Sequence, residues 1–265
     1  MKVGYLQFDP IFGKPEKNYL KIRDLIGNER ADLVVLPELC ISGYTFTDKE
    51  ELGRLSGEIP DGEDTRFFID LSKSTGCAFV AGISERVDDK FYNSLVFTTP
   101  GGYIAKYRKV HLFNTEKKFF QSGDEGFGVC DYMGIKLGFV ICFDWFFPEA
   151  IRTLMLKGAD IVCHPSNLVL PYCQDAMITR SIENRLFTVT SNRIGREKRG
   201  GYDFSFTGKS QITSLSGEVL CRSDGSVEEF RVVDIDPKLS RDKSLTPSNN
   251  IIQDRQTKYY QGLCK

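Results

Sequence analysis

Three side chains in this sequence stand at the ends of apolar runs, and together they have the makings of acyl-transfer chemistry. Cys142 ends the run Ile135 to Ile141 and is followed by Phe143-Asp144-Trp145-Phe146-Phe147-Pro148-Glu149. Glu38 follows Ala31-Asp-Leu-Val-Val-Leu-Pro37, and Lys109 sits in Lys106-Tyr-Arg-Lys109-Val-His-Leu-Phe113. A thiol at the carboxyl end of a buried strand, beside a helix start, lies where open α/β sheets place their sites. Positive charge and helix N-termini lower a thiol pKa in such places. A carboxylate such as Glu38 must there be hydrated, paired or functional, because an unpaired buried charge is expensive. Beside a thiol it could take the thiol proton and return it to a leaving amine. Lys109, turned inward by the apolar Val110, Leu112 and Phe113, would supply fixed positive charge that favours thiolate and holds an oxyanion. Seven residues on, Glu116 could pair with Lys109 or with a substrate amine.

Each of these residues also has a plain structural explanation. A cysteine in an apolar strand is commonly inert filling. Glu38 suits a turn or helix cap. Lys109 suits a solvated strand face beside Lys106 and Arg108. Glu116 suits a surface ion pair with Lys117 or Lys118. The committed turn after Cys142, with Asp144, Pro148 and Glu149, argues against mere filling, since a core strand seldom ends so abruptly.

The elements that must position these groups follow from periodicity. Val3 to Phe8 alternates as a strand. Pro15 to Ile26 carries the helical stripe Leu20, Ile22, Leu25 and Ile26, stopped by Gly27-Asn28. Leu33 to Leu36 fits a buried parallel strand. Thr65 to Ser74 reads as a helix with Gly76 as its stop, and Cys77 to Ile83 as a buried strand. Phe91 to Thr98 and Tyr103 to Tyr107 flank Pro100-Gly-Gly102 as a hairpin. Ile135 to Ile141, Ile161 to Cys163 and Leu186 to Thr190 predict further strands, with helices over Glu149 to Lys157 and Asp175 to Leu186. From Lys209 the sequence predicts three strands, around Gln211, Glu218 and Phe230. One internal echo stands out: Ala31-Asp-Leu-Val-Val-Leu-Pro37 resembles Ala159-Asp-Ile-Val-Cys-His-Pro165. Its physical reading is two related α/β halves facing each other across one core, in mixed sheets with helices outside. No low-complexity linker interrupts the chain, so residues 1–243 are expected to form one domain. Residues 244–265 fit no further sheet strand and end in a polar tail with Tyr259 and Tyr260, expected to dock on a neighbouring subunit.

Bulk composition narrows the function classes. The 265 residues are 41% hydrophobic and 27% charged, enough to bury a core without disulfides or metal. Net charge is −1, from 35 Lys+Arg against 36 Asp+Glu, so neither nucleic acid nor an anionic membrane is an expected partner. The basic cluster Arg193, Arg196, Lys198 and Arg199 reads as a solvated loop. Most of the eight cysteines read as reduced core residues of a cytoplasmic protein. The start of the sequence reads as a strand and lacks the pattern of a signal peptide, and no apolar stretch approaches the roughly 20 residues of a membrane helix. With two histidines and no C-x-x-C pair, no metal or other cofactor is expected, and no phosphate loop points to a nucleotide.

Taken together, Leu36-Pro-Glu38-Leu, Tyr107-Arg-Lys109-Val-His-Leu-Phe113, Cys142-Phe-Asp144-Trp-Phe-Phe-Pro148-Glu149, His164-Pro-Ser-Asn167 and Glu183-Asn-Arg185 make the chain resemble the nitrilase superfamily of carbon–nitrogen hydrolases. The resemblance runs from Val3 to about Asp236 and is nearest the small single-domain nitrilase-like amidases. It implies a four-layer αββα sandwich with two mixed sheets face to face, in a homodimer or larger homo-oligomer whose C-terminal tail packs across the subunit interface. It also implies roles: Cys142 as nucleophile, Glu38 as general base, Lys109 with the Phe143 N–H as oxyanion donors, and Glu116 as an auxiliary carboxylate.

The expected activity is hydrolysis of a small amide to carboxylate and ammonia through a cysteine thioester. Nitrile hydrolysis and N-carbamoyl amine hydrolysis are the alternatives on the same residues, and a non-catalytic interaction protein is the alternative of another class. Phe143-Asp144 stands where true nitrilases commonly carry Trp-Glu, which favours an amide. No arginine cluster marks a carbamoyl-amino-acid pocket. Phe143, Trp145, Asn167 and Tyr44 are the expected substrate contacts, Asn167 being the best polar candidate.

Overall fold

The computed structural model describes residues 1–264. In chain order its regular elements are β1 (Lys2–Gln7), α1 (Pro15–Ile26), β2 (Leu33–Val35), α2 (Lys49–Arg54), α3 (Glu63–Thr75), β3 (Ala78–Val87), β4 (Lys90–Thr99) and β5 (Gly102–Arg108). There follow β6 (Val129–Tyr132), β7 (Ile135–Phe139), α4 (Pro148–Leu156), β8 (Ile161–Ser166), α5 (Cys173–Asn184) and β9 (Phe187–Asn192). The chain continues through β10 (Arg196–Arg199), β11 (Tyr202–Ser205), β12 (Gln211–Thr213), β13 (Val219–Arg222), β14 (Glu229–Asp234), β15 (Ser244–Thr246) and β16 (Asn249–Asn250).

Two six-stranded mixed sheets result, with orders β14-β1-β2-β3-β4-β5 and β13-β12-β9-β8-β7-β6. Each has a parallel centre, β1-β2-β3 in one and β7-β8-β9 in the other, with antiparallel strands on both sides. The sequence echo lies on equivalent strands. Asp32 donates its N–H to Lys2 O at 2.8 Å and accepts from Lys2 N at 2.7 Å. Asp160 donates to Lys136 O at 2.7 Å and accepts from Lys136 N at 2.9 Å. In both halves the aspartate pins the start of the middle strand to its parallel neighbour.

Alternation along the strands separates three apolar layers. Val3, Tyr5, Leu33 and Val35 meet Leu137, Phe139, Ile161 and Val189 between the sheets. On the outer face of the first sheet, Leu6, Phe8, Val34 and Leu36 pack under Ile22 and Ile26 of α1 and Phe67, Phe68 and Leu71 of α3. On the second sheet, Val140 and Val162 pack under Ala150, Ile151 and Leu154 of α4. The αββα sandwich follows from strands buried on both faces covered by helices with one apolar stripe. Gly76 ends α3 in the left-handed conformation, at φ 75, where glycine carries no steric penalty.

Some expectations need correction. The cluster at Arg193 to Arg199 is not a solvated loop. Arg193 is 1% exposed, donates to Asp9 Oδ1 at 2.5 Å and pairs with Glu197, while Arg196–Arg199 forms a hairpin with Tyr202–Ser205. Helices α4 and α5 begin one and two residues earlier than expected. The tail does contain strands, a small β15–β16 pairing outside both main sheets; its last residue, Lys265, lies outside the described residues. The cysteines at 40, 77, 130, 142, 163, 173 and 221 are free. Among the described residues, no helix is long and apolar enough to cross a membrane.

Candidate active site

Glu38 leaves the end of β2 through Leu36-Pro37 and turns back against Gly82 of β3. A Cβ on Gly82 would meet the Glu38 Cα at 2.5 Å, so only glycine admits this close passage. The Glu38 side chain is fully buried. Its Oε1 accepts from Lys109 Nζ and from Asn93 Nδ2, both at 2.6 Å, while Oε2 has no partner.

Lys109 lies one residue past β5. Its N–H donates to Asn93 O at 2.8 Å and its carbonyl accepts from Gly123 N at 2.8 Å, so the backbone is held on both sides. Neighbouring Lys106 and Arg108 pair with Glu85, whereas Lys109 is fully buried. Its ammonium also donates to Glu116 Oε1 at 2.8 Å, an oxygen that accepts from the Tyr44 hydroxyl at 2.7 Å. Glu116 Oε2 accepts from Phe113 N at 3.3 Å.

Cys142 comes from the other sheet. Beyond β7 the chain enters a 3-10 turn over Cys142–Phe146, and Cys142 takes φ 41, unusual for a residue with a side chain. Two buried polar groups hold this turn. Asp144 Oδ2 accepts from Ile141 N at 2.9 Å and from the Tyr107 hydroxyl at 2.7 Å; Oδ1 accepts from His111 N at 3.0 Å and lies 2.8 Å from His111 Nδ1. Tyr107 and His111 flank Lys109, so Asp144 ties the cysteine turn to the lysine segment. His164 Nε2 lies 3.0 Å from the Cys142 carbonyl, and its Nδ1 lies 3.1 Å from Thr190 Oγ1. A carbonyl can only accept, so the proton belongs on Nε2 and the threonine hydroxyl donates to Nδ1. Burial lowers the His164 pKa to about 4, leaving the ring neutral at neutral pH.

Two buried carboxylates thus share one ammonium. Burial alone would lower the Lys109 pKa, but Glu116 and Glu38 outweigh it and hold the group charged. Burial pushes Glu116 upward; Lys109 opposes this and Glu38 adds to it. Burial likewise pushes the Cys142 thiol well above the ordinary range; Glu38 raises it further, Lys109 lowers it, Glu116 raises it, and the Asn167 backbone N–H lowers it. Against the expected lysine-favoured thiolate, burial and Glu38 both oppose the pull of the Lys109 charge on sulfur and favour the thiol. A protonated thiol near a carboxylate oxygen with no partner calls for proton removal during attack rather than before it.

Phe113, Cys142, Phe143, Trp145, Asn167, Leu168, Val169 and Leu170 line a cleft at the thiol. Its enclosed volume is only about 10 Å³, roughly room for one water, so the cleft is narrow. The sequence-derived residues Glu38, Lys109, Glu116 and Cys142 come together, and Phe143, Trp145 and Asn167 line the cleft. Tyr44, expected at the substrate, is instead a buried donor to Glu116 and does not line it. Asn93, His164 and the bridging role of Asp144 were not anticipated. Asn93 had a signal: a polar side chain inside the apolar run Phe91 to Thr98 must find a buried partner.

Comparisons with known proteins point to one family. The family model described as carbon-nitrogen hydrolase matches residues 2–243. A protein named nitrilase from Pyrococcus abyssi (strain GE5 / Orsay) is 48% identical over 263 residues, 98% of this chain and 99% of the relative. A 2-oxoglutaramate amidase of Bacillus subtilis (strain 168) is 33% identical over 237 residues, covering 86% of this chain and 87% of the relative. The crystal structure of a carbon-nitrogen hydrolase from Helicobacter pylori G27 superposes with a TM-score of 0.89 at 26% identity, covering 100% of this chain and 98% of that one.

Proposed function

This chain belongs to the carbon–nitrogen hydrolase family, and on that premise we propose that it cleaves the C–N bond of a small, uncharged amide through a thioester on Cys142. The observation carrying this reading is the division of labour on Glu38: Oε1 is held by Lys109 and Asn93, while Oε2 is left without a partner. That oxygen takes the Cys142 proton as sulfur attacks the carbonyl carbon. Lys109 and the Phe143 N–H hold the oxyanion. The C–N bond then breaks, the nitrogen takes the proton from Glu38, and ammonia departs. In the second half Glu38 takes a proton from water as its oxygen attacks the thioester. The C–S bond breaks, Glu38 returns the proton to sulfur, and the carboxylic acid leaves. Glu116 keeps Lys109 in line, and Tyr44 keeps Glu116 in line.

The small apolar cleft supports a short, uncharged acyl group. The relative named nitrilase makes nitriles the competing substrates, and N-carbamoyl amines are a further comparison. An ammonia-release screen across aliphatic primary amides, ω-amides, N-carbamoyl amines and nitriles tests the reading. Release from at least one primary amide, with the matching acid formed, is expected; activity confined to nitriles or to carbamoyl compounds would overturn it. The same reading takes residues 1–243 as the catalytic domain, with residues 244–265 packing on a second copy in a cytoplasmic homo-oligomer. Exposure of 74% at Tyr259 and 65% at Leu263 supports such a contact.

A further inference from the structure

We infer that Asn167 is a specificity-determining residue that selects primary amides over nitriles, because its side chain presents a donor and an acceptor that only an amide satisfies together. The inference rests on the proposed thioester chemistry at Cys142 and deepens it. Asn167 follows β8, lines the cleft beside the thiol and is 2% exposed. Neither its Oδ1 nor its Nδ2 has a partner within the protein. Such a pair is unusual, since nearly all buried polar side-chain atoms are hydrogen-bonded.

A slack loop does not account for it. Leu168 N donates to Asn192 Oδ1 at 2.8 Å, and Asn192 Nδ2 donates in turn to Gly208 O at 2.7 Å and to Thr207 Oγ1 at 3.0 Å. The segment is thus pinned immediately beyond Asn167. The cleft's own lining offers few other partners: besides Cys142, its walls are Phe113, Phe143, Trp145, Leu168, Val169 and Leu170, and beyond them only the reacting pair Glu38, an acceptor, and Lys109, a donor, reach a bound amide. Whatever enters this cleft meets one polar side chain that can both give and accept a hydrogen bond.

A primary amide answers both needs. Its N–H donates to Asn167 Oδ1, and the second lone pair of its carbonyl oxygen accepts from Nδ2 while the first faces Lys109 and the Phe143 N–H. A nitrile nitrogen can accept from Nδ2 but has no N–H to offer, so Oδ1 stays unpaired in a largely apolar cleft. Leaving one buried acceptor unmade corresponds to a preference of about 10- to 100-fold.

The test pairs an amide with the nitrile of the same acyl chain, propionamide and propionitrile, on wild type, Asn167→Leu and Asn167→Ala. The nitrile is read as substrate or, if it is not turned over, as competitive inhibitor. Amide kcat/KM should fall about 10- to 100-fold in both variants, while the nitrile constant moves by less than about threefold. Asn167→Leu should also melt no lower than wild type, because it removes two unpaired polar atoms while keeping the same branching and number of heavy atoms. Equal losses on amide and nitrile, or no loss on the amide, would overturn the inference while leaving the thioester reading intact. Wild type releasing no ammonia from any primary amide in the wider screen would instead overturn the thioester reading, and the inference with it.

Discussion

The two halves of this molecule repeat one backbone plan and put different chemistry on it. In the first, β2 runs into Pro37-Glu38; in the second, β8 runs through Pro165 to Ser166, which the echo aligns with Glu38, and Asn167 follows one residue on in an equivalent sheet. The first half carries the ionic groups Glu38, Lys109 and Glu116. The second carries the thiol, a neutral histidine and Asn167. One wall thus handles protons and developing charge, and the other makes the bond and reads the substrate. The difference teaches that activity depends on register between the sheets, and Asp144 is where that register is fixed. It accepts from Ile141 on its own side and from Tyr107 and His111 on the other.

Breaking the ionic wall should have the largest effect. Lys109→Ala removes an oxyanion donor and the partner of two buried carboxylates, and should lower kcat by roughly 10²–10³-fold. Circular dichroism should show a folded protein, and near-normal activity would remove Lys109 from the reaction. Breaking the link between the walls comes next. In Asp144→Asn the new amide N–H group must face either the Ile141 N–H or the His111 N–H, so one end of the bridge opens. Since misplacement by about 1 Å can cost 10²-fold, single-turnover acylation should slow by about 10- to 100-fold with KM little changed. A lower melting temperature with an unchanged acylation rate would make Asp144 a stability residue only.

Sharpening the neutral wall gives the smallest effect, on stability rather than rate. The His164 pKa falls from 6.5 in the unfolded chain to about 4 when folded. The stability contribution is therefore fully present above pH 6.5 and is lost as pH falls toward 4, where the unfolded chain binds a proton the native ring refuses. The loss amounts to about 3 kcal/mol. Urea midpoints should decline less over that range in His164→Gln than in wild type. Parallel declines would contradict a buried neutral ring.

Much of this comparison was legible in the sequence because it rests on local pattern. Apolar runs marked the central strands, helical stripes marked α1 and α3, and Ala31-Asp-Leu against Ala159-Asp-Ile marked the repeat. Glu38, Lys109 and Cys142 stood out as polar groups at apolar strand ends. Pairing across long separations was not legible. Arg193 reads as surface charge until Asp9, 184 residues away, is beside it. Tyr44 reads as a substrate contact until Glu116, 72 residues away, takes its hydroxyl. Asp144 reads as a turn residue until Tyr107 and His111 converge on it. The six residues of α2 and the four of β6 are too short to show a period.

The central claim is that the thiol of one half forms a bond to carbon only when the carboxylate of the other takes its proton. Intact-mass and peptide mapping of enzyme quenched during turnover of a slowly hydrolysed amide tests it most directly. The account predicts an acyl adduct on the Cys142 peptide of wild type, absent in Cys142→Ala and strongly reduced in Glu38→Gln. Turnover with Cys142 unmodified and the acyl group on another residue, or full acylation of Glu38→Gln at the wild-type rate, would contradict it.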